Sequence, residues 1–319
     1  MELRIVGRIR SGSNAVFLAE EVAEDVPETI PERASEPDSA SGNNADPQTG
    51  TGDPPARWVH KPVRGEAPLW DFPSGVLPPA AAIPGASPEQ QVSGTLAARE
   101  IAAYLVSRAA GWDVVPETCA VITAAGPGMA QRWLDLPYAP ADPEAPDPGS
   151  APDPTAAKAD IPEPVGLYDP ATVPSGVTGV LALESEDGDP LVLAHTTGRR
   201  MRRIALLDAV INNADRKAGH VLLDTAGREW GIDHGLSFHT EPKVRSVLWG
   251  FAGTSLDDDE LSSLQSLHDG LADGDLALSL GTLLDAAELE AVSDRIEALL
   301  TAGEFPHPEV DFPLPWPLY

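Results

Sequence analysis

The chain has 319 residues, with 21 Lys plus Arg against 50 Asp plus Glu and a formal net charge of −29 at pH 7, enough for one large domain or two small ones. Four lysines and 17 arginines scattered through an acidic sequence cannot supply the broad basic face that nucleic acid requires, and the same shortage disfavours an anionic membrane surface. The first twenty residues lack the apolar core of a secretion signal and no stretch approaches the roughly 20 apolar residues that span a bilayer, so the expectation is a cytoplasmic protein without integral membrane association.

In chain order, Leu3 to Arg10 and Asn14 to Ala19 read as two strands joined by a tight turn at Ser11-Gly12-Ser13. From Glu20 to Arg57, ten acidic residues stand against two arginines among Pro, Ser, Gly and Asn. Such a segment buries too little apolar surface to offset its ordering entropy and is predicted to be disordered. Trp58 to Val63 reads as a third strand, carrying Lys61. Pro78 to Ser93 is a Pro/Ala-rich loop. Thr95 can cap a helix running to Ala110, in which Leu96, Ile101, Ala102 and Leu105 have helical spacing, and Gly111 ends it. Glu117 to Thr123 and Met129 to Leu134 are two more strands. Cys119, the single cysteine, excludes an internal disulfide and reads as a buried, inert thiol.

From Pro137 to Pro190 there are 11 acidic residues, one lysine and 12 prolines, so residues 135–190 are predicted to be a largely disordered insertion. The two insertions hold most of the net charge and are surfaces to which a protein partner could bind. Met201 to Asn213 carries Ile204, Leu207, Ala209 and Val210 at helical spacing and reads as a buried helix. A polar run, Asn212 to His220, follows, with Asn212 and Asn213 expected to hydrogen-bond the loop backbone. Then come the apolar Val221 to Leu223, a turn at Thr225 to Gly227, the strand Trp230-Gly231-Ile232, and Asp233-His234-Gly235. Leu256 to Ala302 reads as two helices, with 11 acidic residues and no Lys or Arg between Gly250 and Asp294.

Asp215 and Asp233 flank this β-hairpin. The layout suits phosphoryl transfer, which needs one carboxylate to orient or deprotonate a hydroxyl, another to hold metal on nucleotide phosphates, and a cation on an upstream strand. Asp215 followed five residues later by His220 matches the D-x-x-x-x-N spacing of a kinase catalytic loop, with His in place of Asn. Asp233-His234-Gly235 stands in the place of D-F-G, and Lys61 suits the phosphate lysine. Magnesium prefers oxygen ligands and imidazole suits softer ions, so His220 makes manganese the ion to compare with magnesium.

Four stretches occur in a telling order: Lys61-Pro62, Ala98 to Thr118, Asn213 to Leu222 and Gly231 to Phe238. Together they resemble the phosphatidylinositol 3-/4-kinase superfamily, most of all the type II phosphatidylinositol 4-kinases and a bacterial branch of that family. The resemblance runs from about residue 3 to 252, apart from the insertions. It implies an α+β, two-lobed protein-kinase-like fold, with residues 1–134 as the N-terminal lobe and 191–319 as a mainly helical C-terminal lobe. It also implies ATP with Mg2+ or Mn2+, and transfer of the γ-phosphate to a hydroxyl.

Carried over residue by residue, the resemblance gives Lys61 the α/β-phosphates and Glu100 the ion pair that holds it. Asp215 becomes the catalytic carboxylate with Lys217 near the transferred phosphate, and His220 and Asp233 become the metal ligands. Ser11, Gly12, Ser13 and Asn14 become the phosphate-covering turn, and Gln131, Arg132, Trp133 and Leu134 the hinge that contacts adenine. Lys243 to Ala252 occupies the acceptor-selecting region, with the acceptor open between a small molecule, a protein and a lipid headgroup. Two further readings stay open: nucleotidyl transfer on the same fold, and a nucleotide-binding pseudokinase that acts as a partner-binding module.

Overall fold

The computed structural model describes residues 1–9, 15–22, 55–66, 85–137 and 163–319. The turn expected at Ser11, Gly12, Ser13 and Asn14 lies outside the described residues, as does 23–54 of the first insertion. Five antiparallel strands, β1 (Leu3–Ile9), β2 (Val16–Glu21), β3 (Arg57–Pro62), β4 (Thr118–Thr123) and β5 (Gly126–Arg132), form a sheet in the order β1-β2-β3-β5-β4. Glu20, Glu21 and Arg57, the margins of the segment expected to be disordered, are therefore strand residues. Period-two alternation builds β3: Trp58, His60 and Pro62 are buried, while Lys61 stands on the other face. Gly128 lies opposite Pro62, where an added Cβ would come within 2.3 Å of the Lys61 carbonyl oxygen and 2.6 Å of Pro62 Cα. Glycine there lets β5 lie close against the strand that carries Lys61.

Between β3 and β4 the expected loop at 78–93 contains a short helix, α1 (Pro88–Val92). Ser87 and Gln90 make a reciprocal capping box and Pro88 occupies the first helical position, local signals that outweigh the Pro/Ala composition. The next helix, α2 (Leu96–Ala109), is capped by Thr95, whose hydroxyl accepts from Ala98 N. Glu66 adds to this cap, accepting from Leu96 N at 3.1 Å and Ala97 N at 2.9 Å. Its carboxylate thus sits on the positive end of the helix dipole.

Residues 138–162 of the second insertion lie outside the described residues, and 163–190 is folded where disorder was expected. β6 (Val165–Tyr168), β7 (Val177–Glu184) and β8 (Pro190–Thr196) form an antiparallel sheet in the order β6-β8-β7. Leu193 and Ala194 of the central strand are fully buried. Local apolar patterning in these strands prevails over the acidic, proline-rich average of the segment. The helix α3 (Arg199–Ile211) follows, then the hairpin β9 (Val221–Leu223) and β10 (Glu229–Gly231), and then three helices where two were expected: α4 (Asp258–Asp273), α5 (Asp275–Gly281) and α6 (Ala286–Ala302). Extended backbone at Gly274 separates α4 from α5. Capping boxes of Asp257 with Glu260 and Asp285 with Glu288 begin α4 and α6, so part of the local acidity serves helix N-termini.

The fold is mixed α+β. Its main core joins α2, α3, α4, α5 and α6 to Met129, Leu193 and Phe238, and a smaller cluster of Leu3, Ala19, Trp58, Val121 and Ala130 lies in the first sheet. Arg99 of α2, itself buried, donates to Ser237 O at 3.0 Å and pairs with Glu288 of α6. That contact holds α2, and with it Glu100, against the later helices. Among the described residues no helix is long and apolar enough to cross a membrane.

Candidate functional site

The site is built around the end of α3. Asn212 closes the helix with left-handed backbone, φ 56°, a conformation asparagine tolerates. Its Nδ2 donates to His239 O and Glu241 O, both at 2.7 Å, and its Oδ1 accepts from Lys243 N at 2.8 Å. Asn213 donates to Asp208 Oδ1 at 2.8 Å and accepts from Asp215 N at 3.1 Å. Both asparagines therefore bond the loop backbone, and Asn213 also fixes the residue that carries the first carboxylate.

Arg216, fully buried, lies beneath this loop and uses all five of its N–H donors. Nε and Nη2 grip Asp208 of α3 at 2.8 Å each. Nη1 donates to His220 O and Ile232 O at 2.9 Å, and Nη2 donates to His234 Nε2 at 2.7 Å. One guanidinium thus sets α3, the loop after it and the end of the hairpin relative to one another. Because Arg216 can only donate, His234 Nε2 is an acceptor and its proton sits on Nδ1.

Above this support, residues far apart in sequence converge. Lys61 Nζ of β3 donates to Glu100 Oε1 of α2 at 2.6 Å and to Asp233 Oδ1 at 2.9 Å. Glu100 Oε2 accepts from His234 N at 2.9 Å. Asp233 has left-handed backbone, φ 60°, and is held between that amide and Ile232 N, which donates to His220 O at 3.0 Å. His220 Nε2 lies 3.3 Å from Asp233 Oδ2, while its Nδ1 donates to Asp215 O at 2.8 Å. Lys217 Nζ contacts Asp215 Oδ2 at 3.0 Å, leaving Asp215 Oδ1 without a hydrogen-bond partner among the described residues.

Burial and charge act against each other here. The Lys61 ammonium loses hydration through burial, yet Asp233 and Glu100 outweigh that loss and hold it protonated far above the usual range. Lys61 in turn, against burial and with help from His220, holds the Asp233 carboxyl well below its usual value. Burial raises the Glu100 carboxyl against the pull of Lys61, and raises that of Asp215 against Lys217. Burial also lowers His220, although Asp233 pulls it up.

Of the residues singled out in the sequence, the structure gathers Lys61, Glu100, Asp215, Lys217, His220 and Asp233 into one cluster. The four hinge residues stand apart from it at the end of β5. Gln131 is buried and donates to Thr118 Oγ1 at 3.0 Å, the Arg132 guanidinium stacks on Trp58, and Trp133 N donates to Arg57 O at 2.9 Å while its ring lies under the Arg57 guanidinium. The partly buried Leu134 continues the same segment, and Asp135 O accepts from Thr225 N at 3.0 Å in the β9–β10 turn. This stretch therefore bridges the first sheet and the hairpin. Cys119 is half-buried, and burial pushes its thiol up to about 11, in keeping with an inert role.

No protein-family model matches the chain. Protein Rv2133c of Mycobacterium tuberculosis (strain ATCC 25618 / H37Rv) is 37% identical over 318 residues, which cover 100% of this chain and 92% of that relative. The chain belongs to the Rv2133c family. Its members' chemistry has to be read from the site, since that name states none.

In this Rv2133c-family site the donors that could hold a cation are His220 Nε2 and Asp233 Oδ2. His220 shows the pattern of a metal-binding imidazole, with Nδ1–H fixed on a backbone carbonyl so that the Nε2 lone pair faces a carboxylate oxygen. Two acceptors face each other there, which suits a cation placed between them. Among the described residues no three of His, Cys, Asp and Glu gather to enclose a metal by themselves, so this pair could supply at most two protein ligands. That is how magnesium is held on nucleotide phosphates, by one or two protein ligands plus phosphate oxygens. Sequence reasoning missed Asp208, Arg216, Glu66 and the anchoring role of His234. These partners are fixed by tertiary contact and carry no spacing signal.

Proposed function

We propose that this Rv2133c-family chain is an ATP-dependent phosphotransferase with a two-lobed, phosphatidylinositol 3-/4-kinase-like fold, moving the γ-phosphate of ATP to a hydroxyl of an acceptor still to be identified. The observation that carries this reading is the meeting of Lys61, Glu100 and Asp233 through bonds of 2.6 and 2.9 Å across 39 and 172 positions of sequence. Glu100 orients Lys61, whose ammonium has three N–H donors and spends two on carboxylates, leaving one for a phosphate oxygen. Asp215 Oδ1 is the oxygen available to orient the acceptor hydroxyl and take its proton, and burial makes that carboxylate a stronger base. Lys217, on the other oxygen, places positive charge beside the transferred group. Asp233 and His220 would hold the divalent ion, which supplies charge neutralisation on the phosphates. A cytoplasmic location belongs to the same proposal, since ATP is supplied there.

The test is thermal unfolding with ATP alone, with ATP and Mg2+, and with ATP and Mn2+, alongside Lys61→Met and Asp233→Ala. Ligand at about 100 times its Kd stabilises by about 2.7 kcal/mol, so the expected result is a metal-dependent rise in Tm lost in both variants. A larger rise with Mn2+ than with Mg2+ would mark His220 as a ligand. No rise under any condition refutes the reading. His220 in place of the usual asparagine favours one other reading, a pseudokinase that binds nucleotide without transfer. Nucleotide-dependent stabilisation without consumption of ATP would select it.

A further inference from the structure

The last segment, residues 311–319, is irregular yet tied down at several places. Pro313 O accepts from Ser246 N at 2.9 Å and from Trp249 Nε1 at 2.7 Å. Leu318 O accepts from Ala218 N at 2.8 Å, and the Leu318 side chain packs on the main core. Beyond it, burial, with Glu163 before β6 and Tyr168 at its end, weakens the acidity of the Tyr319 hydroxyl.

Ala218 opens the one-turn 3₁₀ helix Ala218–His220. A first residue of that kind has no partner for its N–H within the turn, and here the partner is supplied from the far end of the chain. The segment that Pro313 holds is itself bonded to the loop. Arg216 N donates to Arg245 O at 3.0 Å, Arg245 N to Asn213 O at 3.1 Å, and Val247 N to Arg216 O at 3.1 Å. The Asn213–His220 loop, the 245–249 segment and the 313–318 tail therefore close a ring of main-chain hydrogen bonds, with Lys217 and Asp215 on the loop so enclosed. Phe312 and Trp316 are 82% and 88% exposed, so these aromatic rings do not anchor the tail. Its main chain, the buried Pro315 and Leu318 do.

We infer that residues 313–318 are a positioning strap for the Asp215-bearing loop, acting through Ala218 and the 245–249 segment and touching neither nucleotide nor metal. Its kinetic consequence rests on the phosphotransferase reading; the structural one does not. The strap fixes where Asp215 Oδ1 and Lys217 Nζ stand relative to Lys61 on β3, so its loss blunts turnover while leaving nucleotide affinity intact.

The experiment is amide hydrogen exchange on the full chain, a chain lacking 314–319, Ala218→Pro and Trp316→Ala, with ATP consumption measured on the same proteins in Mn2+. Ala218→Pro removes the one N–H that Leu318 receives. Proline is accepted at a first helical position, and Lys217, at φ −83° and ψ 163°, already has the extended backbone a preceding residue needs. Expected are exchange across 213–223 at least about fivefold faster in the deletion and in Ala218→Pro, the factor for one lost main-chain hydrogen bond, and no change in Trp316→Ala. In those two variants kcat for ATP consumption falls at least about fivefold with KM for ATP unchanged. Unaltered exchange across 213–223 overturns the strap, and so does equal acceleration in α2 and α6, which would make the tail a general prop. Unaltered kcat in a chain that consumes ATP overturns its positioning role. A full chain that gains no stability from ATP refutes the phosphotransferase reading instead, and the exchange comparison still decides the strap.

Discussion

Arg216→Ala is the sharpest test of how the site is held. The substitution strips five hydrogen bonds from the interior and leaves Asp208, 1% exposed, as a carboxylate without its cation. It also removes the Arg216 bonds to Ile232 O and His234 Nε2, while His220 O keeps only Ile232 N. Breaking a buried ion pair by removing one partner costs about 3–5 kcal/mol, about a fifth or more of the roughly 5–15 kcal/mol that keeps a domain folded. Tm should fall by about 6–10 °C, at about 2 °C per kcal/mol for a chain of this size, and the urea midpoint should move with it. Arg216→Lys, with three donors on a single nitrogen, cannot serve five acceptors and should lose about 2 kcal/mol. Asp208→Leu combined with Arg216→Met leaves no uncompensated charge, so its cost should be well below the sum of the two single changes. A loss under about 1 kcal/mol for Arg216→Ala, or additive costs in the double variant, would falsify the view that this guanidinium is the joint between α3, the loop and the hairpin.

Two further outcomes follow from the geometry. His234 is held neutral well below the usual histidine value by burial and then by Arg216; the unfolded chain protonates it near pH 6.5. The stability it contributes is therefore complete above about pH 6.5 and is lost as pH falls toward the folded value, by up to about 1.4 kcal/mol per pH unit. His234→Asn, which can still accept from Arg216 but does not titrate, should show a smaller drop in Tm between pH 7 and pH 5; an equal drop goes against the assignment. Gly128→Ala places a methyl group 2.3 Å from Lys61 O and 2.6 Å from Pro62 Cα, against backbone that cannot swing aside. It should cost about 1–3 kcal/mol and weaken any ATP-dependent rise in Tm, and a variant as stable as the parent would argue that β3 has slack at Lys61.

Local signals made part of this molecule legible. Thr95 and Gly111 bracket α2, apolar spacing marks α3, and the turn at Thr225 to Gly227 separates β9 from β10. That Lys61, Glu100, Asp215, Lys217, His220 and Asp233 lie together was anticipated by the spacing of the two aspartates and by the family resemblance, Glu100 and Lys217 by the resemblance alone. Averages misled elsewhere. Counting prolines and acids across 135–190 hid the short alternating strands β6 and β7 and the start of β8, and the same habit hid α1, although Ser87-Pro88-Glu89-Gln90 spells out a capping box. The Asp208–Arg216 pair was illegible for a different reason. Its two members lie eight residues apart across a helix end, and nothing local says that both point inward. Asp233 likewise has left-handed backbone between His234 N and Ile232 N, each bonded to a distant acceptor that no local pattern announces.

Lys61 stands between Glu100 and Asp233, and the two carboxylates are not equivalent: Glu100 is buried, whereas the Asp233 side chain is 46% exposed. An anion on the third N–H of Lys61 therefore shares the ammonium charge with Asp233, and an incoming cation competes with the ammonium for Asp233. An anion bound alone weakens the pairing of Asp233, and a cation bound alone leaves the ammonium with Glu100 only, while the two together leave each charge better paired than either does alone. The two ligands must then raise each other's affinity by the same factor, whichever arrives first. That reciprocity can be read by titrating a polyphosphate with and without Mn2+, and Mn2+ with and without the polyphosphate, and Asp233→Asn should abolish it from both sides.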